Sequence, residues 1–265
     1  MAVSGVANRD RIIAAEDWHR VSIRRHPLLL WAFAICAIAV FARLGFWQLA
    51  RADEKRAMLS KAELALNDRR PQPLAYIASA ARTGEYDWIE VRGDFADAPA
   101  VLLDNQQRAG KVGVRAYRAF VTDGGVPVLV ELGWIALPGD RTMPDVPRDT
   151  DRRALAGLLL PPPGKGLDVG PPAVQPGGSL LATAMDLPAL RQALQMPTLA
   201  PRVLRPQPEA GFGFERDFDI LPNTLPPDRH IGYAVQWFGL ACAVLVTAVL
   251  LSWLRRRRIA REALR

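Results

Sequence analysis

The sequence predicts an α+β membrane protein in which two transmembrane helices flank an antiparallel, β-rich extracytoplasmic domain, built either as a sheet or as a partly closed barrel. Three observations predict it. Residues 28–42 and 231–254 contain no charged side chain. Between them run short segments of alternating polarity, broken by Gly- and Pro-containing turns. Directly after the second apolar run comes Arg255-Arg256-Arg257-Arg258, the mark of a cytoplasmic helix end.

Taken in order, residues 1–26 form a cytoplasmic N-terminal tail, with Arg20, Arg24 and Arg25 on the inner side. The acidic residues among them argue against a mitochondrial transit peptide. The first span is assigned to 27–49. Its charge-free part alone covers about 22 Å at 1.5 Å per residue, so the helix must run on past Arg43, whose side chain can reach the headgroups. The second span, 230–254, is long enough by itself, since about 36 Å of helix exceeds a hydrocarbon core of about 30 Å. Residues 255–265 form a basic cytoplasmic tail. Two spans put both termini on one side and 50–229 on the other. A bacterial plasma (inner) membrane is the expected setting.

Within 50–229, residues 54–67 continue the first span as helix. Strands are expected over 86–95, 101–103, 114–122, 126–135, 154–160 and 180–184, with a last one starting at 203. Asp123-Gly124-Gly125 is a hairpin turn signal. Residues 161–178, rich in Pro and Gly, read as an extended loop. Asp186 is placed to cap a short helix over 188–195.

Charge and composition exclude several functions. The chain holds 34 Lys and Arg against 27 Asp and Glu, but the excess sits in the two tails and beside the spans. The outer domain is near neutral, so no nucleic-acid partner is expected; the bilayer is. Residues 50–229 contain neither His nor Cys. That removes a Ser-His-Asp triad, a cysteine nucleophile, a copper-binding Cys pair and a His-ligated zinc. No enzyme is expected. The tails are too short for the output domain of a sensor.

What remains is a constellation at one level of the two spans. Phe46-Trp47-Gln48 and Gln236-Trp237-Phe238 should both lie near the outer surface. Trp47 and Trp237 suit an aromatic belt, but two amides at matching depth call for a partner. Helical spacing puts His230, Tyr233, Ala234, Trp237 and Ala241 on one face of the second span. That face offers one nitrogen ligand, an aromatic below it and room for a flat ligand; the alternative is an interfacial His touching water or lipid. Gly232, Gln236, Gly239 and Ala243 form a neighbouring face, expected to pack on the first span. Leu44, Gln48, Arg51 and Lys55 make a stripe on the first helix. Its two cations suit either ligand carboxylates or lipid headgroups.

Leu44-Gly45-Phe46-Trp47-Gln48-Leu49-Ala50-Arg51, with Lys55, resembles the first-span signature of the Surfeit-locus cytochrome c oxidase assembly factor family. Asn223 with residues 230–241, beginning His230-Ile231-Gly232-Tyr233, resembles its second-span signature. Gly93-Asp94-Phe95, Val128-Leu129-Val130 and Gly133-Trp134-Ile135 are similar to its strand motifs. Two departures stand out: Glu131-Leu132 occupies the place where the family commonly has Asn-Arg, and Ala136 intervenes before Leu137-Pro138. The resemblance implies an assembly factor for haem-copper cytochrome c oxidase. It implies binding of haem a, with His230 as the iron ligand. The haem would pass to the oxidase catalytic subunit, and the haem a synthase is a further partner. Tyr233, Gln236, Trp237, Trp47, Gln48 and Arg51 complete the expected site, the tryptophans on the macrocycle and arginine on the propionates. The alternative is a structural assembly factor that holds oxidase subunits through its outer domain and touches no haem.

Overall fold

The computed structural model describes residues 27–148, 150–163, 170–221 and 224–264. The tail expected over 1–26 and Asn223 lie outside the described residues. The elements in chain order are α1 (Pro27–Asp68), β1 (Asp87–Phe95), β2 (Val101–Arg108), β3 (Lys111–Thr122), β4 (Pro127–Ala136), β5 (Arg152–Leu160), β6 (Ala173–Val174), β7 (Leu180–Ala182), α2 (Leu187–Ala193), β8 (Val203–Pro206) and α3 (Pro227–Glu262). The chain divides into two compact units, Met1–Ala52 with Asp228–Arg265, and Asp53–Pro227.

In the first unit, α1 and α3 are each long and apolar enough to cross a membrane, and their most apolar stretches are almost wholly uncovered. A core helix of a soluble protein would be mostly covered; these present Leu28, Phe33, Val235 and Leu251 outward. The positions that are covered follow a seam. On α1 they are Ala34, Ile38, Phe41, Gly45, Gln48 and Ala52, and on α3 His230, Ala234, Trp237, Ala241, Val244 and Ala248. Both sets alternate steps of three and four, the spacing that keeps one stripe facing a partner helix. The helices run antiparallel: Gln48 meets His230, Phe46 meets the Phe238 ring edge-on at 5.2 Å, Phe41 stacks on Trp237 at 5.7 Å, and Trp31 Nε1 donates to Ser252 Oγ at 3.0 Å. Gly45 allows this approach, since a Cβ there would sit 2.6 Å from the Phe238 ring.

One sequence expectation is corrected here. The face expected to pack on the first span, Gly232, Gln236, Gly239 and Ala243, is exposed. The His230 face is buried instead. Alanines at 234 and 241 already allow close packing, and that face also carries the stacked aromatics and lets an imidazole find an amide partner, which apolar surroundings reward. Cys36 and Cys242 are free thiols exposed on the two helices.

In the second unit, β1 pairs with β5 and also with β3, so β1-β5-β8-β4-β3 close into a ring, while β2, β7 and β6 extend beyond β3. The partly closed barrel is therefore the form adopted. Alternation along the strands fills the interior with Ile89, Val91, Phe95, Val114, Phe120, Val128, Val130, Leu155 and Leu204. The outer face carries Leu129, Leu158 and Val203, covered by α2 and by Ala62, Ala65 and Leu66 of the helical extension of α1. The sequence neighbours β2–β3, β3–β4 and β6–β7 pair antiparallel, as do β1–β3, β1–β5 and β5–β8. β2–β7 and β4–β8 are parallel, because β7 and β8 return by long connections that free them from hairpin geometry.

Three local expectations change. β2 runs on to Arg108 through an irregularity between Leu103 and Gln106, where Asn105 takes φ 56°. The loop expected over 161–178 contributes the short edge strand β6 in its described part. Asp186 stands at the N-cap of α2, but its side chain makes no capping bond.

The departure at Glu131 has a structural account. Glu131 is fully buried on the outer barrel face. Arg115 Nη1 donates to its Oε1 at 2.6 Å and Arg205 Nε to its Oε2 at 2.9 Å. Burial lowers the Arg115 pKa, and the facing carboxylate more than reverses this, holding it above its ordinary value. Leu132, at the place of the family's arginine, belongs to the barrel core. The family's Gly-Trp pair is structural too. Gly133 has φ 128°, and a Cβ there would come 2.7 Å from the Phe214 backbone. Trp134 N donates to Glu215 O at 2.8 Å and its indole Nε1 to Gln106 O at 3.1 Å.

Candidate functional site

The candidate site lies within the first unit, where α1 carries Gln48 to His230 at the start of α3. The contact is Nδ1 to Oε1 at 2.6 Å. An amide oxygen only accepts, so the imidazole proton is on Nδ1 and Nε2 carries the lone pair of the neutral ring. His230 is 8% exposed and its Nε2 is buried.

Around this pair the expected residues sort into two groups. Trp237, half-buried, lies about two turns further along the His230 face and stacks on Phe41 with an interplanar angle of 27°. Trp47 is 50% exposed and carries the Arg51 guanidinium at 5.9 Å from its ring centroid. Tyr233 borders the buried face and is 40% exposed. Gln236 separates from the rest: at about 100° per residue it stands about 120° round the helix from His230, on the exposed face. Of the two amides expected at matching depth, Gln48 meets the imidazole and Gln236 faces outward.

The site also contains Phe41 and Gly45, which sequence reasoning left out. Their signal was the three-and-four spacing shared with Gln48. It is faint because the first span is apolar on every side, so only packing density distinguishes the seam.

Haem a is the group implied by resemblance, and the donor set suits it. A neutral imidazole with its proton held on the far nitrogen is the form in which histidine binds iron. Flat aromatic surfaces and an exposed arginine are on the same helices. Burial of Nε2 means that iron reaches this nitrogen only when the side chains covering it move. Among the described residues no group of three His, Cys, Asp or Glu could hold a metal ion.

The second unit has a cleft of about 640 Å³ lined by Leu59, Arg108, Arg115, Glu215, Asp217 and Asp219, among others. Within it, Arg108 donates to Glu215 at 2.8 Å and to Asp217 at 2.5 Å. Burial raises the Asp217 carboxyl, and hydrogen bonds from the Asp219 backbone and Arg108 outweigh that and hold it below its usual range. None of the expected site residues lines this cleft.

Two lipid-compatible helices sharing one buried imidazole–amide pair, joined to a small barrel, define an α+β membrane protein. The chain belongs to the SURF1 family, whose profile matches residues 35–242, most of its length. That family is one of assembly factors associated with cytochrome c oxidase, which makes the oxidase its partner. No curated protein matches the chain.

Proposed function

We propose that this protein binds haem a at the His230 end of its two spans and assists its insertion into the catalytic subunit of cytochrome c oxidase. The observation that carries the reading is the His230–Gln48 bond, which presets the imidazole in the tautomer that binds iron through Nε2. His230 is the metal ligand. Trp237 and Trp47 supply aromatic surface for the macrocycle, Tyr233 borders it, and Arg51 meets a propionate. Gln236, on the other face, is left out of the haem site. A single imidazole suits a carrier that must release its cargo.

In this reading the protein sits in a bacterial inner membrane with both ends cytoplasmic, as the four arginines 255–258 favour. The barrel is extracytoplasmic, and the haem a synthase is the upstream partner. The protein catalyses no reaction; it carries and positions.

A second reading is a structural assembly factor that holds oxidase subunits without haem. The burial of Nε2 favours it. One experiment separates the two. The chain is expressed in cells that make haem a, purified in detergent, and its visible spectrum recorded for the wild type and His230→Ala. Haem a in the wild type and its loss in the variant is the expected result. A wild type that purifies without haem removes the first reading and leaves the second.

A further inference from the structure

The His230–Gln48 contact joins two spans, and its chemistry is more specific than packing requires. We propose that Gln48 is a positioning residue that acts on haem through His230: it fixes the ring tautomer and, being a neutral acceptor, keeps the imidazole a moderate donor whose bond to iron is exchangeable. This rests on the haem-binding reading above.

Gln48 is the polar exception in the α1 seam. At its other positions α1 presents apolar or small groups, such as Ala34, Ile38, Phe41, Gly45 and Ala52. Any such residue at 48 would keep the spacing. An amide there instead sets its oxygen 2.6 Å from Nδ1. Histidines that bind metals generally donate their second nitrogen to a carboxylate, a backbone carbonyl or water, and this partner sets both ring orientation and ligand basicity. A carboxylate partner draws the Nδ1 proton strongly and makes Nε2 a strong donor. An amide oxygen fixes the same tautomer while drawing the proton less. Backbone carbonyls of α1 are committed within the helix, so only a side chain could supply such an acceptor from this element. The acidic alternative, Glu, has the same length and would reach the same atom.

The two spans also have a second cross-helix hydrogen bond, Trp31 Nε1 to Ser252 Oγ. It lies near the opposite end of the pair and involves neither Gln48 nor His230. It therefore provides a control for loss of packing as distinct from loss of tautomer control.

The test uses the full chain in lipid nanodiscs with its histidine rings labelled with 15N. Without haem, His230 is assigned by difference against His230→Ala. The wild type should show a protonated Nδ1 and a lone-pair Nε2, and Gln48→Leu should show the two tautomers averaging. Gln48→Glu should keep the wild-type tautomer, and Ser252→Ala should leave the His230 signals unmoved. The same proteins are then loaded with haem a and read by redox titration and by transfer of haem to apomyoglobin. Gln48→Leu should lower haem affinity about 10–100-fold, the usual range for losing a partner of a metal-bound histidine. Gln48→Glu should lower the midpoint potential and slow transfer relative to the wild type. Ser252→Ala should change neither. Unaltered ring signals in Gln48→Leu, or equal potentials in the wild type and Gln48→Glu, would overturn the proposal. If the wild type takes up no haem, the haem-binding reading fails and takes with it the iron-tuning role, while the ring signals still decide whether Gln48 sets the tautomer.

Discussion

The helix pair and the barrel solve the same problem, polar groups removed from water, in opposite ways. The barrel unit pairs its buried carboxylates with arginines, although Tyr117 Oη and Arg115 Nε are buried there without a hydrogen-bond partner among the described residues. Both oxygens of Glu131 are taken by different arginines. Asp87 accepts from Arg82 at 2.5 Å and from Arg202 at 2.6 Å. Arg216 donates to the carbonyls of Leu132, Phe212, Pro206 and Gln207. Such networks hold strands in place and offer a ligand nothing without breaking themselves. Among the described residues, the helix pair joins an imidazole and an amide at its His230 end, between largely apolar surfaces. The difference teaches where to look for chemistry. The buried ion pairs are in the barrel, and the buried imidazole–amide pair is in the spans.

Four substitutions sharpen or break this contrast. The largest effect is expected for Glu131→Leu, which leaves two buried guanidinium groups facing each other. Loss of one side of a buried ion pair costs about 3–5 kcal/mol, and urea unfolding of the full chain, followed by amide exchange in the barrel strands, should show it. Unchanged stability would mean that the barrel does not depend on its charges. Next is Gly133→Ala. The positive φ alone costs about 1–3 kcal/mol in a residue with a side chain, and the nearby Phe214 backbone adds to it. Amide exchange should quicken at Trp134, whose N–H bond to Glu215 O would be displaced.

Asp87 gives a smaller, pH-dependent effect. Burial pushes its carboxyl up, and the hydrogen bonds and charges of Arg82 and Arg202 outweigh this and hold it below its ordinary value. A carboxyl lowered in the folded state stabilises the fold fully above its unfolded pKa of about 3.9 and loses that contribution as the pH falls through the folded value. Asp87→Asn should therefore be less stable near neutral pH and should flatten the decline in stability below about pH 4, read by thermal unfolding across pH. An unchanged acid limb would show that this ion network contributes little. The smallest effect is expected for Gly45→Val. The added methyls meet the Phe238 ring and separate the spans slightly, so the His230 ring should show more tautomer averaging while the barrel keeps its exchange pattern.

Much of this architecture was legible in the sequence, for reasons that differ by element. The spans declared themselves because a charge-free run of 24 residues has few other uses. The β3–β4 hairpin followed from Asp123-Gly124-Gly125 between alternating segments, since Gly125 takes the positive φ, 74°, that the turn needs. The ring closure through β1 and β3 was not legible, because pairing between strands distant in sequence leaves no local pattern. The ion networks were hidden for a similar reason: Arg205 and Glu131 are far apart in the chain, and each alone reads as a surface charge. In the site, Gln48, Trp237 and His230 were found by depth along each span. The face was misjudged for Gln236, because small residues at helical spacing and a true packing seam look alike until a partner helix selects between them.

The central claim concerns one bond, iron to His230 Nε2. Resonance Raman spectra of the ferrous, haem a-loaded chain, grown with 14N or 15N histidine, test it directly. The account expects an iron–nitrogen stretch that shifts with the isotope in the wild type and is lost in His230→Ala. The same isotope-sensitive band persisting in His230→Ala would contradict it.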